Sequence, residues 1–314
     1  MNKLTLAVLV STLVLGGCGS TPKTKVSEVR TNEVAINIAS TENYIWQNDE
    51  SVAYNIAKLA QPTGVGVGMR DNADPKSDDM GRSGSTVLSA VSGFFMGGLG
   101  GSASSLAMDS KNDSIRDWRI SFLTFHHKDT LDLTDPAKAN QTVRNELGDK
   151  LLTALKHKYP DTQIKGIYSH TIKRIQNITA QIVLSGSICD DALKFGYNKG
   201  EQPNLNQSGL EVVLFGAKEP VDGCLVQLTS SISGFIDGNY AAVTEINGYN
   251  VSAFVAIEAS EHIEDTYVII PDRSRFRVSG SRLKRTWVFP YPKIIFNGKD
   301  YLLDINEVST SPIL

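Results

Sequence analysis

The chain has 314 residues, with 31 basic and 34 acidic side chains, a net charge of −3, and 41% apolar and 8% aromatic residues. That length and ordinary globular composition allow one large core or two smaller ones. The slightly acidic balance argues against nucleic acid as a partner.

At the start of the chain Lys3 supplies positive charge, Leu4 to Leu15 form an apolar run, and Gly16 and Gly17 precede Cys18. This is the three-part layout of a secretory signal. The apolar run is too short to cross the roughly 30 Å hydrocarbon layer as a helix, so it reads as an export signal and not as an anchor. Leu15, Gly16, Gly17 and Cys18 together resemble the lipobox of bacterial lipoproteins. The resemblance covers residues 1–18 and bears on nothing beyond them. It implies a diacylglyceryl thioether on Cys18, cleavage just before it, and acylation of the new amino terminus by a fatty acid such as palmitate. Two or more acyl chains hold a protein on a bilayer, each buried methylene contributing about 0.8 kcal/mol. In the same class an Asp after the cysteine favours the inner membrane; here Gly19 and Ser20 follow, which implies the outer membrane and a periplasmic body. Residues 19–32 (GSTPKTKVSEVRTN) are polar without periodicity and read as a flexible tether.

Residues 33–117 read as a helical and Gly/Ser-rich N-terminal region. A strand is expected at 34–38 and a helix at 49–60, where Val52, Ile56, Leu59 and Ala60 fall at helical spacing, Asp49 or Ser51 can cap, and Pro62 follows. From 61 the pattern dissolves into turn residues and acids. Asp71, Asp74, Asp78 and Asp79 do not fit the ligand spacing of a calcium loop, so this reads as an exposed loop. Ser83 to Met108 is free of charge, and Gly93, Gly97 and Gly101 recur every fourth residue. That spacing lets helices approach closely and resembles the glycine-zipper stretches of some envelope lipoproteins. The segment reads as packed on the body, with membrane insertion, self-association through those glycines, or disorder as the alternatives.

Residues 118–314 read as the α+β globular body. A long helix is expected at 136–159, with Asp135 as cap, Pro136 in the first turn, and Val143, Leu147, Leu151, Ala154 and Leu155 as its apolar stripe. Alternation over 178–188 and 224–236, apolar on one side and polar on the other, predicts antiparallel strands with one dry and one wet face. Asn297 and Gly298, between apolar runs, predict a hairpin. Further strands are expected at 118–126, 163–168, 211–217, 251–257 and 266–270. The resulting class is α+β, a predominantly antiparallel sheet with one long and one short helix packed on it. No internal repeat is present. Cys189 and Cys224 are the two cysteines left after the signal, and in an oxidising compartment they read as a disulfide, with two buried thiols or a metal pair with histidine as the alternatives.

Motifs for chemistry are sparse. The sequence holds no G-x-S-x-G elbow, no phosphate loop and no H-E-x-x-H zinc helix. In HHKDTLD, His126 and His127 stand near Asp129 and Asp132, but neighbours on a strand face opposite ways, so at most one histidine can serve a given site. The group reads as a strand end with exposed imidazoles, and His262, among Glu261, Glu264 and Asp265, as a salt-linked surface group. Neither a metal nor a cofactor is expected. One stretch suits ligand binding: RSRFRVSGSRLKR carries Arg273, Arg275, Arg277, Arg282, Lys284 and Arg285 without an acid. Guanidinium groups in a row suit phosphates and carboxylates, each donating two parallel hydrogen bonds. The alternative is a charged face that keeps an edge strand from pairing with another chain. The reading that follows is a lipid-anchored envelope lipoprotein with a protein partner, acting as a non-catalytic structural or assembly component. The alternative is an exported hydrolase whose site is assembled from dispersed residues.

Overall fold

The structure, a computed structural model, describes residues 34–65, 119–171, 177–201, 211–212, 221–271, 273–278, 282–288 and 292–303. The expected signal at 1–18 with Cys18, the tether 19–32, the acidic loop, the segment 83–108 with its spaced glycines, and residues 213–217 of an expected strand lie outside the described residues.

The strands are β1 (Asn37–Ile38), β2 (Ser121–His127), β3 (Gln163–Thr171), β4 (Asn177–Ser185), β5 (Glu211–Val212), β6 (Val221–Asp222), β7 (Cys224–Ile236), β8 (Asn239–Ile246), β9 (Tyr267–Ile270), β10 (Arg273–Arg277), β11 (Lys284–Val288), β12 (Lys293–Phe296) and β13 (Lys299–Leu302). The α-helices are α1 (Val52–Ala60), α2 (Pro136–Lys156), α3 (Ser187–Lys194) and α4 (Asn250–Ser260). Among the described residues the main sheet has nine strands in the order β13-β12-β9-β2-β8-β7-β4-β3, with β1 beside β7. Its ladders are antiparallel except that of β1, which runs parallel to β7. β7 takes two partners along one edge: its residues 224–228 pair with β4, and Ser231 and Ile232 pair with β1. Two further pairs, β10 with β11 and β5 with β6, stand apart from this sheet. The class is the expected α+β, dominated by antiparallel sheet.

Helices cover both faces. On one, the buried stripe of α2 (Val143, Leu147, Leu151, Ala154, Leu155) and the inner sides of α3 and α4 meet Phe122, Ile182, Leu184, Val226 and Leu228. Burying each such side chain contributes about 1.5–3 kcal/mol. On the other, α1 lays Val52, Ile56 and Leu59 against Leu123, Val243, Ile269 and Ile294. Both expected caps form: the Asp135 carboxylate accepts from the Lys138 N–H (3.0 Å) and the Ser51 hydroxyl from the Tyr54 N–H (3.0 Å). The Asn297–Gly298 turn has φ of 49° and 73°, as a two-residue hairpin requires. Asp237–Gly238, with φ of 47° and 82°, does the same between β7 and β8, a hairpin whose second strand the sequence reading missed.

Four expectations are corrected. Residues 251–257, read as a strand, lie in helix α4. The helix is buried nearly all round, by the sheet on one side and by Phe276 and Val278 on another, so its sequence carries no amphipathic period. The strand expected at 178–188 stops at Ser185, and Ile188 belongs to α3. Gly186 turns the chain at φ 111°, and Asp161, twenty-six positions upstream of Ser187, accepts from its backbone N–H (2.8 Å) and hydroxyl (2.6 Å). A helix start fixed by so distant a residue leaves no local sequence mark. With α3 and α4 added, the α-helices among the described residues are four, not one long and one short. The polar side of β4 and β7 is only partly wet: Gln181, Val183, Ser231 and Ser233 are buried, while Ser185, Gln227 and Thr229 are half-buried.

Candidate functional site

The basic run forms the β10–β11 hairpin. Its register pairs Arg273 with Val288, Ser274 with Trp287, Arg275 with Thr286, Phe276 with Arg285 and Arg277 with Lys284. The Val278 N–H donates to the Leu283 carbonyl (3.0 Å) at the end nearer the turn. Ser274 and Phe276 are buried while Arg277 is exposed, so alternation gives this strand a core side and a solvent side. The core side rests on α4: Phe276 and Val278 cluster with Ala253, and the Arg277 N–H donates to the Gly248 carbonyl just before that helix.

Phe195, the residue that closes α3, is the platform for the hairpin. Its ring stacks on Phe276 and on Trp287, with centroids 5.0 Å apart in each case, and tilts against Phe254 at 5.5 Å. Such pairs are worth about 0.5–1.5 kcal/mol beyond their area. The next residue is Gly196 at φ 85°, where a Cβ would lie 2.7 Å from Cε2 of Phe276; only glycine lets the chain turn beneath that ring. Asn250, fully buried, donates from Nδ2 to the carbonyls of Ala192 (3.0 Å) and Phe195 (2.9 Å), tying the end of α3 to the start of α4.

The six bases are not equivalent. Arg285 donates from Nη2 to both carboxylate oxygens of Glu201, each at 3.2 Å. Glu201 also accepts from the backbone and side-chain N–H groups of Asn198, both at 2.8 Å. Those bonds, the Asn198 backbone first and then Arg285, hold the Glu201 carboxyl below the usual carboxylate range. Arg277 lies over the Tyr249 ring, 5.8 Å from its centroid. Arg277, Arg282 and Lys284 are exposed, and none of the three pairs with a carboxylate among the described residues. Arg273 and Arg275 stand on β10 opposite Val288 and Thr286. Between and beside the exposed cations, Leu283 is 44% and Trp287 41% exposed; of the four large apolar side chains that stand out of the described surface, this hairpin holds two, the others being Ile38 and Ile45. Beneath it, Ser274, Phe276, Ala253, Gly248, Ile246, Ile120 and Arg119 line a cavity of about 10 Å³, room for one water and no more.

The histidine cluster comes apart as alternation required. His126 is buried, which corrects the expectation of exposed imidazoles there. Its Nδ1 lies 3.1 Å from Oε2 of Glu146 on α2, and its Nε2 shares a 2.9 Å hydrogen bond with the Thr124 hydroxyl. Lys150 adds a contact at 3.4 Å to the same carboxylate. The His126 hydrogen bond, and after it the nearby charges, hold the Glu146 carboxyl below its ordinary range. His127 faces solvent beside Asp129 (3.4 Å), and Asp132 binds Thr134 instead of a histidine. His262 is exposed and stacks on His157 at 4.8 Å, a ring contact and not the expected salt link. No group of three or more His, Cys, Asp or Glu side chains among the described residues is arranged to hold a metal ion. Glu245 is shifted the opposite way: burial pushes its carboxyl above its ordinary range, against the pull of Arg119 at 3.5 Å.

Cys189 and Cys224 form the expected disulfide, Cα atoms 5.5 Å apart, joining α3 to the first residue of β7. Sequence reading found the basic residues but neither the aromatic platform nor Glu201. Phe195, Phe254, Phe276 and Trp287 are spread over more than ninety positions, and only the contact of α3, α4 and the hairpin assembles them. No family model, no curated protein and no solved structure matches the chain.

Proposed function

We propose that the chain is a lipid-anchored lipoprotein of the cell envelope, held in the outer membrane through Cys18 with a periplasmic body, and that it acts as a non-catalytic structural or assembly component of an envelope complex. The observation that carries the location is the Cys189–Cys224 disulfide, since structural disulfides belong to oxidising compartments and are rare in the cytosol. The lipobox residues Leu15 to Cys18 supply the means of attachment. The assembly role is supported by the hairpin, where Arg277, Arg282 and Lys284, with no carboxylate partner among the described residues, and two exposed apolar side chains share one small element. Self-association through Gly93, Gly97 and Gly101 offers a second route to assembly. Mass spectrometry of the mature amino terminus, with crosslinking in intact cells, tests the reading. The expected results are a diacylglyceryl thioether on Cys18 and a discrete crosslinked protein partner. An intact leader, or a start site without acyl mass, overturns the location; a body that crosslinks to nothing overturns the assembly role.

The exported-hydrolase reading draws on one arrangement, the hydroxyl–imidazole–carboxylate chain of Thr124, His126 and Glu146. Such a chain activates a hydroxyl nucleophile where substrate can reach it. Thr124 is 2% exposed, so the arrangement serves equally to satisfy buried polar groups. Covalent labelling of Thr124 in the folded protein by a fluorophosphonate would establish the hydrolase reading in place of the first.

A further inference from the structure

We infer that the β10–β11 hairpin is a contact surface for an anionic phospholipid bilayer, a role that rests on the membrane-anchored reading above and names the element the body turns toward the lipid. Leu283 is flanked in sequence by Arg282 and Lys284, and all three are exposed. An apolar side chain between two cations suits the boundary between headgroups and acyl chains: ammonium and guanidinium groups meet lipid phosphates while the leucine enters the edge of the hydrocarbon. Trp287 supplies a second exposed apolar side chain, at the end of the hairpin away from the turn, where the register sets it opposite Ser274. One side of its indole is fixed against Phe195, leaving 41% of the residue exposed, and indoles favour the membrane–water interface. Stacking holds that ring in place before contact, so little side-chain freedom is lost on binding.

Charge chooses the lipid class. The chain carries a net −3, yet residues 273–285 hold six bases and no acid, and among the described side chains there Arg285 is paired with Glu201 and Arg277 lies over the Tyr249 ring. Among the described side chains Arg282 and Lys284 have no carboxylate partner and are exposed to phosphate groups, with Arg277 exposed on the same hairpin. A free phosphate or a small ligand would need a concavity, and the cavity under the hairpin has room for a water alone. The expected tether, residues 19–32, would span at most about 50 Å when extended.

The test uses the full chain carrying Cys18→Ser, which forms no thioether, with sedimentation on vesicles of phosphatidylcholine alone or with three parts in ten of phosphatidylglycerol. The chain is expected to partition more strongly onto the anionic vesicles, and Arg282→Gln with Lys284→Gln to weaken that partition about 30-fold, the loss expected for two basic groups at an anionic surface. Leu283→Ser should weaken it further with no change in the thermal midpoint. Brominated lipid should quench Trp287, identified by the difference from Trp287→Phe. Equal partition of parent and double variant, or no preference for the anionic vesicles, overturns the inference. So does a Trp287 response to soluble polyglutamate without one to vesicles, which assigns the patch to an acidic protein. Retention of the Cys18 chain purified from cells on neutral vesicles reads the anchor separately, so failure there is distinguishable from failure of the hairpin.

Discussion

The nine-stranded sheet and the β10–β11 hairpin solve opposite problems with the same residue types. In the sheet, Phe122 is fully buried between β2 and the helices above it, and the imidazole of His126 has a partner on each nitrogen. In the hairpin, Trp287 and Leu283 stand partly in water, and Arg277, Arg282 and Lys284 have no carboxylate beside them among the described residues. Stability accounts for the first arrangement. It does not account for the second, because an exposed apolar group contributes little to folding and an unpaired surface cation contributes almost nothing. The difference separates residues kept for the fold from residues available for contact.

Substitutions can break or sharpen that contrast. The largest expected effect is Phe122→Ala, which should cost about 3–5 kcal/mol in denaturant unfolding because transfer and cavity costs add at a fully buried ring. Cys189→Ser, or reduction of the wild-type bond, should cost about 3–4 kcal/mol by releasing a loop closed across 35 positions. Arg285→Ala should cost less than about 1 kcal/mol, since both partners of its ion pair are partly exposed. The hairpin-tip changes Arg282→Gln and Lys284→Gln should move stability by under about 0.5 kcal/mol while altering vesicle binding. A loss as large as that of Phe122→Ala at the tip would erase the distinction between the two regions.

A pH experiment sharpens the sheet side. The Glu146 carboxyl is held below its ordinary value by the His126 hydrogen bond, so its folded pKa is lower than its unfolded one. Its contribution is therefore fully present above about pH 4.5, the ordinary carboxyl value, and is lost as pH falls from there through the folded value. Glu146→Gln should thus lower the urea midpoint at pH 7 and narrow its gap from wild type near pH 3. A gap that stays constant across that range would show that the imidazole does not favour the ionised carboxylate.

The sequence was most readable where a local rule suffices. The α2 helix announced itself through Asp135, Pro136 and an uninterrupted apolar stripe, and the last hairpin through Asn297 and Gly298. Legibility ended where a neighbour far along the chain decides. The α4 run reads as a strand because β-branched and small apolar residues fill it, and only its burial among the sheet and Phe276 makes a helix of it. Asp161 starts α3 from across the fold. Asp237–Gly238 was a local signal of the same kind as Asn297–Gly298 and was open to reading. In the candidate site the cations were visible as a charge run, whereas the split between Arg285 and the others depends on Glu201, eighty-four positions away.

Follow the sulfur bond outward and an order of events emerges. Cys189 sits in the helix whose end carries Phe195, and Phe195 is what steadies the exposed indole. A chain still carrying thiols at 189 and 224 would hold that helix less firmly and leave the indole less sharply placed. The lipid contact inferred above would then sharpen only once the bond has formed.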